Sequence, residues 1–99
     1  MAALSTDLDD PKAMPYFTWD DPMTVEEIRR RLANDPPAER DRLLAKILRE
    51  ARDVDVWKFT TPPEVVRRWT ALSMYLGRSR PFWEYTLSRW REAGLLEAA

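Results

Sequence analysis

Histidine and cysteine are both absent from these 99 residues, so any chemistry must come from carboxylates, lysine, serine or tyrosine. Without imidazole the commonest general base and metal ligand is gone. Without thiols there can be no disulfide and no thiolate metal site. The clustered aspartates after residue 15 are Asp20-Asp21 and Asp53-Val54-Asp55. Asp53 and Asp55 could begin a hard-cation site, but such cations take about 6–8 oxygen ligands and no further ligand spacing supports one. Short acidic side chains also bond to backbone amides in turns and caps, which accounts for both clusters without a ligand. Two glycines leave no glycine-rich loop to cradle phosphate. No catalytic residue, cofactor or metal is expected, and the chain is not read as an enzyme.

Charge says little about a polyanionic partner. Net charge is −1, so no global field draws the chain to nucleic acid or membrane. The early chain is acidic (Asp7, Asp9, Asp10, Asp20, Asp21 against Lys12), and the last third is mildly basic. Two predicted helices there, separated by Gly77, have the outline of a helix-turn-helix, with Arg78, Arg80, Arg89 and Arg91 as phosphate contacts. A recognition helix presents polar readers in its first turn, whereas here that turn reads Pro81-Phe82-Trp83-Glu84. A DNA-binding autoregulator is therefore the alternative reading, not the leading one. Arg42, Lys46 and Arg49 form a second basic face, explained by local pairs such as Glu39–Arg42 and Lys46–Glu50.

Aromatic content is the main anomaly, with five Trp, three Tyr and three Phe. Periodicity turns Trp57, Trp69 and Trp90 inward. Tyr16, Phe17, Trp19, Phe82, Trp83 and Tyr85 are less readily absorbed by so small a core. Interfaces favour Trp, Tyr and Arg as anchors. The expected contact surface is Tyr16, Phe17, Trp19, Lys58, Phe82 and Tyr85, with Arg78 and Arg80 at its rim. The competing expectation is that the N-terminal rings cover the last helix and complete the core.

These residues must be carried by a small set of elements. Residues 1–15 are acidic and broken by Pro11 and Pro15, which predicts a flexible arm. Residues 16–22 form an extended aromatic segment between Pro15 and Pro22. Thr24-Val25-Glu26-Glu27 is a capping box opening a first helix, with Val25, Ile28 and Leu32 on one stripe. A second helix runs from Pro36 or Pro37 to Ala51 with Asp35 as its cap, and Leu43, Leu44, Ile47, Leu48 and Ala51 face the core. Residues 52–60 alternate like a strand but have no partner strand, so an irregular or helical turn is expected, with Val54, Trp57 and Phe59 inward. Thr61-Pro62-Pro63-Glu64 starts a third helix that carries Val65, Trp69, Leu72 and Leu76 as far as Gly77. The fourth runs from Pro81 to Ala93-Gly94, with Trp83, Leu87 and Trp90 on its core stripe and Leu95 and Leu96 folding back. The predicted fold is all-α: a flexible arm over 1–15, then one domain over 16–99 of four helices with the aromatic segment packed across them.

Three blocks carry a resemblance. They are Pro15-Tyr16-Phe17-Thr18-Trp19-Asp20 followed by Thr24-Val25-Glu26-Glu27; Ala45-Lys46-Ile47-Leu48-Arg49-Glu50-Ala51-Arg52 running into Asp55-Val56-Trp57-Lys58-Phe59; and Thr61-Pro62-Pro63-Glu64-Val65-Val66 with Phe82-Trp83-Glu84 and Trp90. In order and spacing, over residues 15–92, the chain resembles a family of small, mostly uncharacterised bacterial helical proteins. These are often encoded beside nucleotidyltransferase toxins of the abortive-infection type. Thr60-Thr61 and the double Pro62-Pro63 vary from the usual pattern. The resemblance implies a non-catalytic antitoxin or cognate partner that binds a nucleotidyltransferase toxin, and it brings no catalytic residue with it. The N-terminus lacks a secretory pattern and no apolar run reaches the ~18 residues of a membrane span, so a cytoplasmic location is expected. Self-association is left open.

Overall fold

The computed structural model describes residues 3–94, and its centre is one helix, α2 (Pro37–Glu50). Leu43, Leu44, Ile47 and Leu48 are buried as their spacing predicts, while Ala51 is half-buried. Ala45, on another side of the helix, is buried too. The reason is that α2 is covered from several directions: α1 (Val25–Asn34), α3 (Asp53–Val56), α5 (Trp69–Leu72) and the 3-10 turns at 73–75 and 77–79 all pack on it. A helix so surrounded cannot spare an outer face at that level.

The described chain is mostly helical, with six α-helical segments in place of the four expected. The third expected helix is divided into α4 (Pro62–Arg67) and α5, with Arg68 between them at φ −102° and ψ 10°. At the break the Arg68 guanidinium meets the Asp41 carboxylate of α2. Val65, Leu72 and Leu76 are nevertheless all buried, so the inward stripe survives the interruption. Gly77 then reverses the chain at φ +53°, a conformation that costs a residue with a Cβ about 1 kcal/mol or more. The last helix, α6 (Arg80–Glu92), buries Trp83 and Leu87, with Trp90 half-buried beyond them.

Caps follow the sequence in part. The Thr24 hydroxyl accepts from the Glu27 amide at 3.2 Å, and Thr61 does the same for Glu64 at 3.3 Å. Asp35 does not cap α2; Pro36 occupies that position, and Asp35 closes α1 by pairing with Arg31 at 3.1 Å. Pro36 and Pro37 remove the first two amides after Asp35, and its carboxylate turns back to Arg31 of the preceding helix.

The N-terminal stretch departs most from expectation. A short parallel pair joins β1 (Leu4–Ser5) to β2 (Met14–Pro15), where no strand was predicted. Leu8 is 1% exposed and belongs to the core. Val25 and Glu26 donate backbone hydrogen bonds to Ala13 and Pro11, so residues 3–15 are attached to the start of α1 instead of forming a loose arm. Residues 16–18, expected to be extended, form a 3-10 turn. The fold-back expected of Leu95 and Leu96 lies outside the described residues.

Candidate functional site

Tyr16 and Trp83, both counted among the unabsorbed rings, close the C-terminal end of α2. The last carbonyls of a helix have no intrahelical partner. Here the Leu48 carbonyl accepts from the Trp83 indole N–H at 3.0 Å. The Arg52 amide, which would have reached Leu48 had the helix continued, donates instead to the Tyr16 hydroxyl at 2.8 Å. Tyr16 in turn donates to the Asp55 carboxylate at 2.6 Å, and the Arg52 guanidinium donates to the same oxygen at 3.1 Å. Burial pushes the Asp55 carboxyl up, but the Tyr16 and Arg52 hydrogen bonds and the charges of Arg52 and Lys58 outweigh it and hold it below the ordinary carboxylate range. The Tyr16 hydroxyl is raised, first by burial and then by the Asp55 carboxylate it bonds. This is a structural joint: the Tyr16 hydroxyl, the Arg52 amide and guanidinium and the Asp55 carboxylate are bonded to one another.

Of the expected contact residues, the structure therefore assigns Tyr16 to the joint and Phe17 to the core, 2% exposed. Phe17 packs edge-on against Tyr16 and Phe59 with centroids at 5.3 and 5.8 Å. The cause is the 3-10 turn at 16–18, which aims successive rings into the domain where an extended strand would have alternated them. Lys58 is held by Asp9 at 3.0 Å, and Arg80 by Glu84 at 2.9 Å. Arg78 is exposed and has no ion-pair partner among the described residues.

Three large rings stay outside: Trp19 at 66%, Phe82 at 49% and Tyr85 at 65% exposure. Phe82, Tyr85 and Arg89 recur at i, i+3 and i+7 and so share the outer strip of α6. Phe82 is braced from below by the buried Trp83 ring, edge to face at 5.1 Å. Trp83 and Trp90 both meet Trp57, at 5.9 and 5.4 Å, so the strip rests on a firm aromatic floor. Trp19 is not joined to this strip by any ring contact.

The basic face of α2 is consumed internally, though not by the pairs its sequence suggested. Lys46 bonds Asp20 at 2.6 Å, Arg42 lies over the Tyr75 ring at 5.8 Å, and Arg49 reaches the Tyr75 carbonyl at 2.8 Å as well as Glu50. The Lys46 hydrogen bond lowers the Asp20 carboxyl below its ordinary range. Val54, expected inward, is 66% exposed. In the single turn of α3 the inward positions go to Asp55 and Val56, which puts Val54 on the far side. The Val54 amide donates to the Asp53 carboxylate at 2.9 Å, a local hydrogen bond within the turn. Among the described residues no group of three or more acidic side chains converges, and no helix is long and apolar enough to cross a membrane.

Sequence reasoning missed the mostly buried pair of Asp41 and Arg68, joined at 2.6 Å between α2 and the junction of α4 with α5. Its only trace is two charged residues lying where each helix turns inward. No family model, no curated protein and no solved structure matches the chain.

Proposed function

We propose that this protein is a non-catalytic interaction module that docks a protein partner through the outer strip of α6. The observation that carries this reading is the pair of exposed rings, Phe82 and Tyr85, one turn apart on a helix whose other face is anchored. Flat rings held on a rigid helix lose little entropy on binding and serve as hot spots. Arg78, exposed and without an ion-pair partner among the described residues, precedes them in the chain, which suits a partner with an apolar cleft and an acidic edge. Trp19 is a second exposed anchor at a separate place. The resemblance described above supplies the partner class: a nucleotidyltransferase toxin, held in check by an antitoxin.

DNA contact through α4–α6 draws less support from the geometry. Trp83 in the first turn of α6 is buried and bonded to Leu48, and Arg80 is paired with Glu84. That leaves Phe82 as the foremost group for a groove.

The test is co-production with a nucleotidyltransferase toxin of the abortive-infection type, the partner class that the resemblance implies. We expect a stable complex and an inhibited enzyme. Phe82→Ala or Tyr85→Ala should weaken binding by about 2 kcal/mol, near thirtyfold, with thermal unfolding hardly changed because both rings are exposed. A monomer that elutes apart from a fully active enzyme removes the antitoxin reading. A salt-dependent operator gel shift would move the assignment to the DNA alternative.

A further inference from the structure

We propose that the groove between α1, α2 and α4 binds a small organic carboxylate that carries an apolar body. The groove encloses about 290 Å³, at the small end of the range for ligand sites. Leu32, Leu44 and Phe59 give it an apolar wall. Two buried polar atoms that lack any protein partner, Arg40 Nε and Thr60 Oγ1, belong to residues lining this same groove. A buried group left unsatisfied costs about 1–3 kcal/mol, so two on one groove call for a shared partner.

The chemistry of the two atoms selects that partner. A guanidinium N–H can only donate, and a threonine hydroxyl can donate as well. A carboxylate can accept from both at once through its two oxygens, with the added strength of an ionic hydrogen bond at the guanidinium. The charge balance agrees. Arg68 is neutralised by Asp41 and Glu64, and Glu64 also takes Arg67. Arg40 has no ion-pair partner among the described residues and leaves the groove with one uncompensated positive charge. Arg29, lying over the Phe59 ring at 5.2 Å, puts a further cation beside the apolar wall. The head group therefore sits against Arg40 and Thr60, and the body lies along Leu32, Leu44 and Phe59. Such a carboxylate can come from a free organic acid or from the last residue of a peptide with an apolar side chain. No lining residue lies on α6, so this site stands or falls independently of the docking strip.

The experiment is an NMR titration of the 15N-labelled full chain with 4-methylpentanoate, with 4-methylpentanamide as the neutral control, and with acetyl-Ala-Leu bearing a free carboxyl group. We expect saturable shifts at the Arg40 Nε–H and at the Thr60 and Thr61 amides with an acid, and at least about tenfold weaker binding of the amide. Arg40→Met, which keeps the aliphatic stem, should weaken the acid at least about tenfold; Thr60→Val is read in the same way should the arginine variant fail to fold. Tighter binding of 4-methylpentanoate assigns the site to a free acid, and tighter binding of the dipeptide assigns it to a chain end; either supports the carboxylate site. Equal binding of acid and amide overturns it, and so does the absence of a saturable shift with both acids.

Discussion

Tyr16 shows how one hydroxyl can hold three parts of a chain together. It accepts from the amide just past α2 and donates to Asp55, whose carboxylate also takes Arg52. Tyr16→Phe deletes both bonds without changing the ring, and we expect a loss of about 1–3 kcal/mol in urea unfolding. The two titrating groups mark the ends of a pH window. Asp55 is depressed in the folded state, so its contribution is present above the ordinary carboxylate value near pH 4 and is lost as pH falls through its lower folded value. Tyr16 is raised, so its contribution is present below the ordinary phenol value near pH 10 and is lost as pH climbs through its higher folded value. Measured between pH 4 and pH 2, stability of Asp55→Asn should fall less steeply than that of the parent. Equal slopes would mean that Asp55 titrates alike in both states.

At the level of elements, the division of α4 from α5 is tied to one ion pair. Asp41 and Arg68 are mostly buried, with side chains 12% and 19% exposed. Removing one partner strands the other charge, and we expect Arg68→Met to cost about 3 kcal/mol in denaturant unfolding. The double change Asp41→Leu with Arg68→Met should recover much of that loss, because an apolar pair carries no stranded charge. A double variant as unstable as the single one would show that packing, not charge, holds the junction. Helix starts were legible in the sequence because a threonine cap, a proline and a glutamate act within one turn. The interruption was not, because its cause lies on another helix 27 residues away.

Across the whole molecule, the N-terminal stretch is a structural part of the domain. Leu8 sits in the core beside the elements that follow, and Asp9 and Asp20 reach across to Lys58 and Lys46. Leu8→Ala should destabilise the protein by about 2–4 kcal/mol, as for other buried leucines. A change under about 0.5 kcal/mol in thermal or urea unfolding would return this stretch to the status of a loose arm. The candidate surface was legible by type and not by position. An excess of rings was plain from composition, yet only Trp19, Phe82 and Tyr85 of the named rings face outward. Phe17 and Tyr16, equally aromatic and nearby in sequence, point in because a 3-10 turn replaces the extended path.

Local information alone determined where α1, α2, α4 and α6 begin to within a residue or so, which stripes of α2 and α6 are apolar, that glycine takes a left-handed conformation at 77, and that no imidazole or thiol chemistry is possible. These properties depend on neighbours within a turn or two, where spacing and side-chain type act directly. Which rings are buried, which charges are paired and which two polar atoms are left on the groove beside Arg40 were decided only when distant segments met. Burial and pairing are properties of contacts, and a contact between residues tens of positions apart has no signature in either residue alone.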